Sequence, residues 1–146
     1  NINYFSMFNE FIIEYNKRNA DTICFKKVKI KNQTLLVEFI NWYGTNKNIN
    51  QWYMSAVIYS KRKHKDKLFE DCTSSGKIGV LGLYATKNIL LEFEDFIKSK
   101  FSYTSNYILI YGADSKRKRI YNEALKRFGY ELSTVYNYPT LIKKIN

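Results

Sequence analysis

Two dense runs of positive charge are the residues in this chain best suited to binding chemistry. The first is Lys61-Arg62-Lys63-His64-Lys65-Asp66-Lys67, and the second is Lys116-Arg117-Lys118-Arg119. Ammonium and guanidinium groups bind phosphates and carboxylates, so these runs predict contact with a nucleic acid, a nucleotide cofactor or an acidic protein. A solvated charged face is the alternative. The candidate contact residues are Lys61, Arg62, Lys63, Lys65, Lys116, Arg117, Lys118 and Arg119.

The composition is that of one folded, strongly basic domain. The 146 residues carry a formal net charge of +11, and 45% of them are hydrophobic and 17% aromatic. Disordered chains contain far fewer apolar residues, and this length fits a single domain over residues 1–146. The charge predicts attraction to an acidic macromolecule or nucleic acid, although a general abundance of Lys, Asn, Ile and Tyr accounts for it as well.

Several kinds of site are disfavoured by the residues that the chain lacks. His64 is the single histidine, which leaves little basis for a histidine metal site or a Ser-His-Asp triad. Cys24 and Cys72 are too few for a secreted disulfide scaffold, and their spacing does not suggest a metal site. No apolar run approaches the ~20 residues of a membrane helix, and the first residues do not resemble a signal peptide. We therefore expect a cytoplasmic protein without a metal or a membrane partner.

The first half of the chain predicts one helix followed by strands. Apolar residues recur at helical spacing from Tyr4 to Tyr15. Thr22 to Ile30 alternates as a strand with one solvated face does, and Lys31-Asn32-Gln33 is a plausible turn into a second strand. The strands predicted after that turn are Thr34 to Tyr43 and Gln51 to Tyr59.

The second half predicts strands alternating with helices. A short strand over Leu68 to Cys72 precedes the longest helical pattern, whose apolar positions are Leu83, Ile89, Leu90, Phe93, Phe96 and Ile97. Tyr107 to Tyr111 has the continuous apolar character of a strand buried on both faces. A helix starting at Asp114 or Ser115 ends at Gly129, and Tyr130 to Tyr138 returns as a strand.

These elements predict an α+β fold of the three-layer α/β type. A mixed central sheet begins as an antiparallel meander and continues into a β-α-β-α-β unit. The crossover is expected to place the strand near Leu68 parallel to Tyr107–Tyr111.

Two segments resemble the GNAT superfamily of N-acetyltransferases. They are TSSGKIGVLGLYATKNILLEFEDFI (Thr73 to Ile97) and YILIYGADSKRKRIYNEALKRFGYEL (Tyr107 to Leu132). The second is similar to the family's strand–helix–strand ending, with Phe128-Gly129-Tyr130 as its turn. Both also resemble small phage-encoded proteins of this fold, for which the host cytoplasm or the virion is the expected location. The resemblance implies transfer of an acetyl group from acetyl-CoA to an amine.

In that family a glycine-containing loop at a helix N-terminus holds the coenzyme A pyrophosphate, because free backbone N–H groups attract phosphate there. The residues standing at this place are Ser74, Ser75, Gly76, Lys77, Ile78 and Gly79. The family pattern is incomplete, since Thr73 stands where Gln or Arg is usual and Ile78 where Gly or Ala is usual. Two alternatives stay open for this segment. The spacing of Gly76, Gly79 and Gly82 also suits close helix packing, and SSGKI weakly resembles a Walker-type loop.

The resemblance also implies an acid and a base. A tyrosine of the last helix protonates the departing thiolate in many members, and Tyr121 lies one turn before the usual position, which is Leu125 here. Glu70 and Glu38 are the carboxylates expected on central strands, where one of them is a candidate to deprotonate the amine. The alternative function is a catalytically inactive GNAT-like protein that contacts nucleic acid or an acidic protein through its basic surface.

Overall fold

A computed structural model describes residues 11–16, 18, 21–42, 48–59, 65–67, 76–111 and 122–146, with 65–67 and 76–80 described by their backbone. The strands are β1 (Ile12–Tyr15), β2 (Thr22–Ile30), β3 (Gln33–Asn41), β4 (Ile49–Tyr59), β5 (Lys65–Lys67), β6 (Ser105–Tyr111), β7 (Glu131–Val135) and β8 (Tyr138–Lys144). Helix α1 spans Gly76–Lys100 between β5 and β6, and residues 122–126 are also helical.

The strands form one mixed sheet. Seven of them lie in the order β1-β2-β3-β4-β6-β8-β7, and β5 pairs with β4 away from this path. The pair β4–β6 is parallel, and all other described pairs are antiparallel. Helix α1 connects the two parallel strands, as a crossover between parallel strands requires. The predicted mixed α+β class is therefore confirmed, with the sheet as its dominant part.

Helix α1 covers one face of the sheet. Alternate strand residues, such as Leu35 and Phe39 of β3 and Trp52 of β4, are fully buried in one core with Phe93 of α1. The rings of Phe39 and Phe93 stack with their centroids 3.8 Å apart, and Trp52 meets Phe93 edge to face at 5.4 Å. Aromatic contacts of this kind add to the free energy of burying their surface, so they fix α1 on the sheet.

The buried side chain of Asn106 fixes the register at the start of the parallel pair β4–β6. Asn106 of β6 is completely buried, and its Nδ2 donates to the carbonyl oxygens of Phe101 and Thr104. Its Oδ1 accepts hydrogen bonds from Asn50 Nδ2 at 3.0 Å and Trp52 Nε1 at 3.1 Å. A buried polar side chain with every group paired specifies one register, because a shifted register would leave several groups without partners.

Two ion pairs join α1 to the sheet. Lys26 of β2 is 5% exposed and pairs with Glu92. Glu94 accepts hydrogen bonds from Lys143 Nζ at 2.7 Å and from the Tyr130 hydroxyl at 2.9 Å. Both carboxylates belong to α1, so these bonds fix its rotation about its own axis.

The prediction of an N-terminal helix was wrong over the residues that the structure describes. The predicted helix runs from Tyr4 to Tyr15. Its residues 4–10 lie outside the described part of the chain, and Ile12–Tyr15 form strand β1. Ile12 pairs with Phe25 and Tyr15 with Thr22 along the edge of β2. β-branched residues and ladder hydrogen bonds favour the strand here over helical spacing.

The predicted parallel partner was also wrong. The strand expected at Leu68 to Cys72 lies outside the described residues, and β6 pairs in parallel with β4 instead. The run expected to be a basic loop contains strand β5, which folds back on β4 with Lys65 opposite Tyr59. The crossover thus starts one strand earlier in the chain than expected.

The end of the chain holds a strand that the sequence did not predict. Tyr130 to Tyr138 was expected to be one strand, but it divides into β7, a turn at Tyr136-Asn137 and the start of β8. Both turn residues have positive φ, 50° and 66°. Positive φ at both positions is typical of a two-residue type I′ hairpin, whose usual Asn-Gly signal is absent here.

Among the described helices, none is both long and apolar enough to cross a membrane.

Candidate functional site

The two parallel strands separate partway along their length. β4 and β6 are paired from Ile49–Ser105 to Tyr53–Leu109, after which no further pair joins them although both strands continue. On the same edge of β4, pairing resumes with β5 at Val57. The edge of β4 at residues 54–56 therefore has no strand beside it among those described.

The backbone groups on this edge have no strand partner among the described strands. Successive residues of a strand direct their backbone N–H and C=O groups to alternate edges, and these groups need hydrogen-bond partners. The side chains of Met54 and Ala56 point into the core beneath α1. An extended ligand with amide groups can pair with such an edge as an added strand does.

The first turn of α1 lies beyond the end of β4, on the β2 side of the sheet. Leu81, Tyr84 and Ala85 near the start of α1 face Val28 and Ile30 of β2. Phe93, which stacks on Phe39 opposite Met54, lies at the level where β4 and β6 separate, roughly 25 Å along the helix from Gly76. The helix begins at Gly76, so the N–H groups of its first four residues lack partners within the helix. Its first turn contains no acidic residue, and its last turn carries Lys98 and Lys100. The helix dipole at Gly76 thus favours an anion.

The predicted cofactor loop is partly helical. Gly76, Lys77, Ile78 and Gly79 belong to α1, whereas Ser74 and Ser75 lie outside the described residues. Gly79 therefore lies within the first turn of α1, as the alternative of helix packing for these glycines requires.

The glycine that follows in the series is located in the protein interior. Gly82 is buried, and its carbonyl oxygen accepts a hydrogen bond from Thr86 Oγ1 at 2.6 Å. This contact agrees with a packing role for Gly82.

Most other predicted site residues lie outside the described part of the chain. This group contains the two candidate catalytic residues and most of the basic runs: Tyr121, Glu70, Lys61, Arg62, Lys63, Lys116, Arg117, Lys118 and Arg119. Lys65 is located on β5. Glu38 is half-buried on β3, between Phe25 and Ser55 and on the face away from α1.

A pocket lined by aromatic rings was not predicted from the sequence. Its walls are Trp42, Gln51, Tyr53, Tyr111 and Tyr136, which we call the aromatic pocket, and its volume is about 240 Å³. The ring centroids of Trp42 and Tyr53 are 4.4 Å apart, and those of Tyr53 and Tyr111 are 5.1 Å apart at an interplanar angle of 30°. The pocket opens on the sheet face opposite α1.

Sheet register accounts for the failure of sequence reasoning to find this pocket. Gln51 and Tyr53 are alternate residues of β4, and the pairing of Asn41 with Trp52 brings Trp42 next to Gln51. Tyr111 lies in β6 beyond its last pair with β4, so its ring leans towards Tyr53. The period-two pattern was visible, but the register between distant strands was not.

The polar atoms of the pocket are mutually bonded. The Tyr53 hydroxyl donates a weak hydrogen bond to Gln51 Oε1 at 3.4 Å. Burial, a hydrogen bond with Tyr53 and repulsion from the phenolates that Tyr53 and Tyr136 form at high pH raise the pKa of Tyr111. Tyr111 therefore stays protonated at neutral pH and is a hydrogen-bond donor rather than a base.

A second concavity lies between α1 and β2. Its volume is about 550 Å³, and its lining is largely apolar, with Leu81, Tyr84 and Ala85 of α1 facing Val28 and Ile30 of β2. Leu81 and Tyr84 are 46% and 62% exposed, so this groove is open to solvent. Its lining offers few groups for acid–base or nucleophilic chemistry.

The described residues hold no cluster of His, Cys, Asp and Glu side chains suited to a metal ion. Cys24 is a free thiol in the core, and burial raises its pKa to about 12. It is therefore a packing residue and a poor nucleophile.

No known protein-family model, curated protein or solved structure matches this chain.

Proposed function

We propose that this chain is a divergent N-acetyltransferase of the GNAT type. It would transfer an acetyl group from acetyl-CoA to an amine, leaving the free coenzyme thiol. The observation that carries the proposal is the separation of β4 from β6 after Tyr53 and Leu109, in a sheet covered on one face by α1. The edge of β4 beyond that point and the first turn of α1 are the two features that would contact the coenzyme.

The chemistry of these two features matches the two parts of the coenzyme. The pantetheine arm has amide groups, which suit the N–H and C=O groups on the edge of β4 at residues 54–56. The pyrophosphate suits the free N–H groups and dipole of the first turn of α1, at Gly76 to Gly79. Bound acetyl-CoA would supply the activated acetyl group.

The order of the strands also supports the proposal. A meander from β1 to β4, a helical crossover to parallel β6 and a final antiparallel pair agree with the coarse prediction of an antiparallel meander that leads into a β-α-β crossover. Tyr121 and Glu70 remain the candidate acid and base on that resemblance. Glu38 is a second carboxylate, half-buried on a central strand.

Calorimetry with acetyl-CoA tests this function. Gly76→Glu places a carboxylate where the pyrophosphate is expected, and a glutamate in the first turn of a helix is favourable for folding by about 0.3–1 kcal/mol. Ser99→Glu is the matched control, since it adds the same charge to an exposed position in the last turn of α1. We expect micromolar binding to the parent and to Ser99→Glu, and no binding to Gly76→Glu.

The second candidate is a catalytically inactive basic protein on the same fold. The specific observation in its favour is that Gly79 lies within α1 rather than in a phosphate-binding loop. If the parent chain does not bind acetyl-CoA at low salt, the acetyltransferase proposal is wrong and this second function takes its place.

A further inference from the structure

We propose that the aromatic pocket binds a base of single-stranded nucleic acid. This site is on the opposite face of the sheet from α1, and the proposal is independent of acetyl-CoA. Aromatic rings are exposed on this face. Trp42 is 44% exposed and Tyr136 is 76% exposed at the two ends of the pocket. Every base has a flat π-face, and aromatic side chains on a sheet are the usual surface on which bases stack.

The size of the pocket suits one ring system. Its volume of about 240 Å³ is below the range of roughly 300–1,000 Å³ that is typical of pockets for drug-sized ligands. Tyr53 and Tyr111 form its floor, with ring centroids 5.1 Å apart and an interplanar angle of 30°. Trp42 and Tyr136 form its more exposed walls. A base is therefore able to enter between two exposed rings and rest on two ordered ones.

The polar groups of the pocket match the edge of a base. Gln51 carries an amide that can both donate and accept, and its Oε1 receives only a long hydrogen bond of 3.4 Å from the Tyr53 hydroxyl. Among the described residues, no charged side chain lines the cavity. A cation bound here would have the attraction of the rings but no carboxylate from these lining residues, whereas a neutral base needs no counter-charge.

Other residues on this face are placed to contact the rest of the single-stranded nucleic acid. Gln51 pairs with Tyr107, and Tyr107 with Lys144, so the exposed Lys144 lies roughly 10 Å across the same face, at the usual strand spacing. Tyr138 also lies on this face, two positions before Thr140, and is 66% exposed. A nucleotide in the pocket can thus place its phosphate towards a lysine and a neighbouring base towards a second ring.

Charges on this face have both signs, so the net charge of the whole protein decides the preferred partner. Glu38 and Glu131 lie on the same face as Lys144, at positions given by their pairs with Ser55 and Ile142. The chain as a whole carries +11. That excess attracts a polyanion and repels cations at long range, and it favours nucleic acid over a cationic ligand.

The test compares two labelled 15-nucleotide probes by fluorescence anisotropy. One is oligo-dT and the other has the same phosphates with abasic sugars, so their difference reports contacts with the bases alone. We expect the parent to prefer oligo-dT, and Trp42→Ala to lower the affinity for oligo-dT roughly 5- to 150-fold. Trp42→Tyr should restore most of the affinity because it keeps a stacking ring.

Tyr103→Ala is the control, since Tyr103 is fully exposed, at 101%, and lies outside the pocket. It should bind both probes as the parent does. Equal affinity of the parent for the two probes would overturn the proposal, as would an equal loss in Trp42→Ala and Tyr103→Ala. A change in the parent's Trp42 fluorescence on adding tetramethylammonium, without any preference for bases, would identify a cation site instead. Loss of acetyl-CoA binding in Gly76→Glu leaves all these outcomes unchanged.

Discussion

Replacing Lys143 by methionine should destabilise the protein far more than replacing an exposed lysine. Lys143 Nζ lies 2.7 Å from Glu94 Oε1, and the two side chains are 26% and 7% exposed. Without the lysine, the hydrogen bond from the Tyr130 hydroxyl is the one that the buried Glu94 carboxylate keeps among the described residues. Removing one partner of a buried ion pair costs roughly 3–5 kcal/mol. Since Lys143 is partly exposed and water can replace it in part, we expect the lower value, about 3 kcal/mol.

The assay is equilibrium unfolding in urea, supported by thermal unfolding. A loss of about 3 kcal/mol corresponds to a fall in Tm of roughly 6–12 °C for a chain of this size. Lys126→Met is the matched control, because Lys126 and Glu123 form an exposed pair with side chains 46% and 68% exposed. Exposed pairs contribute roughly 0–1 kcal/mol, so this variant should unfold nearly as the parent does.

The double variant Lys143→Met with Glu94→Met separates the loss of attraction from the burial of an unpaired charge. An apolar pair of similar volume often replaces a buried ion pair without loss of stability. We therefore expect the double variant to recover most of the stability that Lys143→Met loses. Equal stability of Lys143→Met and Lys126→Met would refute the reasoning, because it would mean that Glu94 is not effectively buried.

Two further predictions concern buried polar groups. In a Cys72→Ser background, Cys24 should not react with a thiol reagent at pH 8 until the protein unfolds, since burial raises its pKa to about 12. Because the thiol has a higher pKa in the folded than in the unfolded protein, the free energy of unfolding should also fall as the pH rises above about 9. Rapid labelling of the folded protein would contradict the burial of Cys24. Asn106→Leu should lower the free energy of unfolding by about 2 kcal/mol, because the Nε1 of the buried Trp52 loses its acceptor, Asn106 Oδ1. Asn88→Leu on the exposed side of α1 should have little effect, and urea unfolding of both variants measures the difference.

Strands with a strong period-two pattern were predictable from the sequence. Thr22–Ile30 was predicted with its observed bounds, and Gln51 to Tyr59 differs from β4 by two residues. Ile108, Leu109 and Ile110 are all buried, as expected for a strand covered on both faces. These elements were predictable because burial alternates, or is continuous, within a single strand and needs no knowledge of its neighbours.

Features that depend on pairing between distant residues were not predictable. Ile12 to Tyr15 has helical spacing, but hydrogen bonds to the edge of β2 make it a strand. The choice of β4 as the partner of β6 depends on Asn50, Trp52 and Asn106, which share one buried network although more than 50 positions separate the first two from the third. Register of this kind is a tertiary property.

The same limit applies to the candidate sites. The spacing of Gly76, Gly79 and Gly82 left both a phosphate-binding loop and a packed helix open, and the structure places Gly76 and Gly79 in the first turn of α1. The separation of β4 from β6 after Tyr53 and Leu109 leaves no local mark in the sequence. The aromatic pocket combines residues of four separate segments, and abundant tyrosine does not reveal which rings meet.

The most direct test of the acetyltransferase proposal is to follow backbone amide NMR signals while acetyl-CoA is added. The proposal predicts that the largest shifts occur at Met54 to Ala56, on the free edge of β4, and at Lys77 to Gly79, in the first turn of α1. Shifts confined to other parts of the chain, or no shifts at saturating coenzyme, would contradict it.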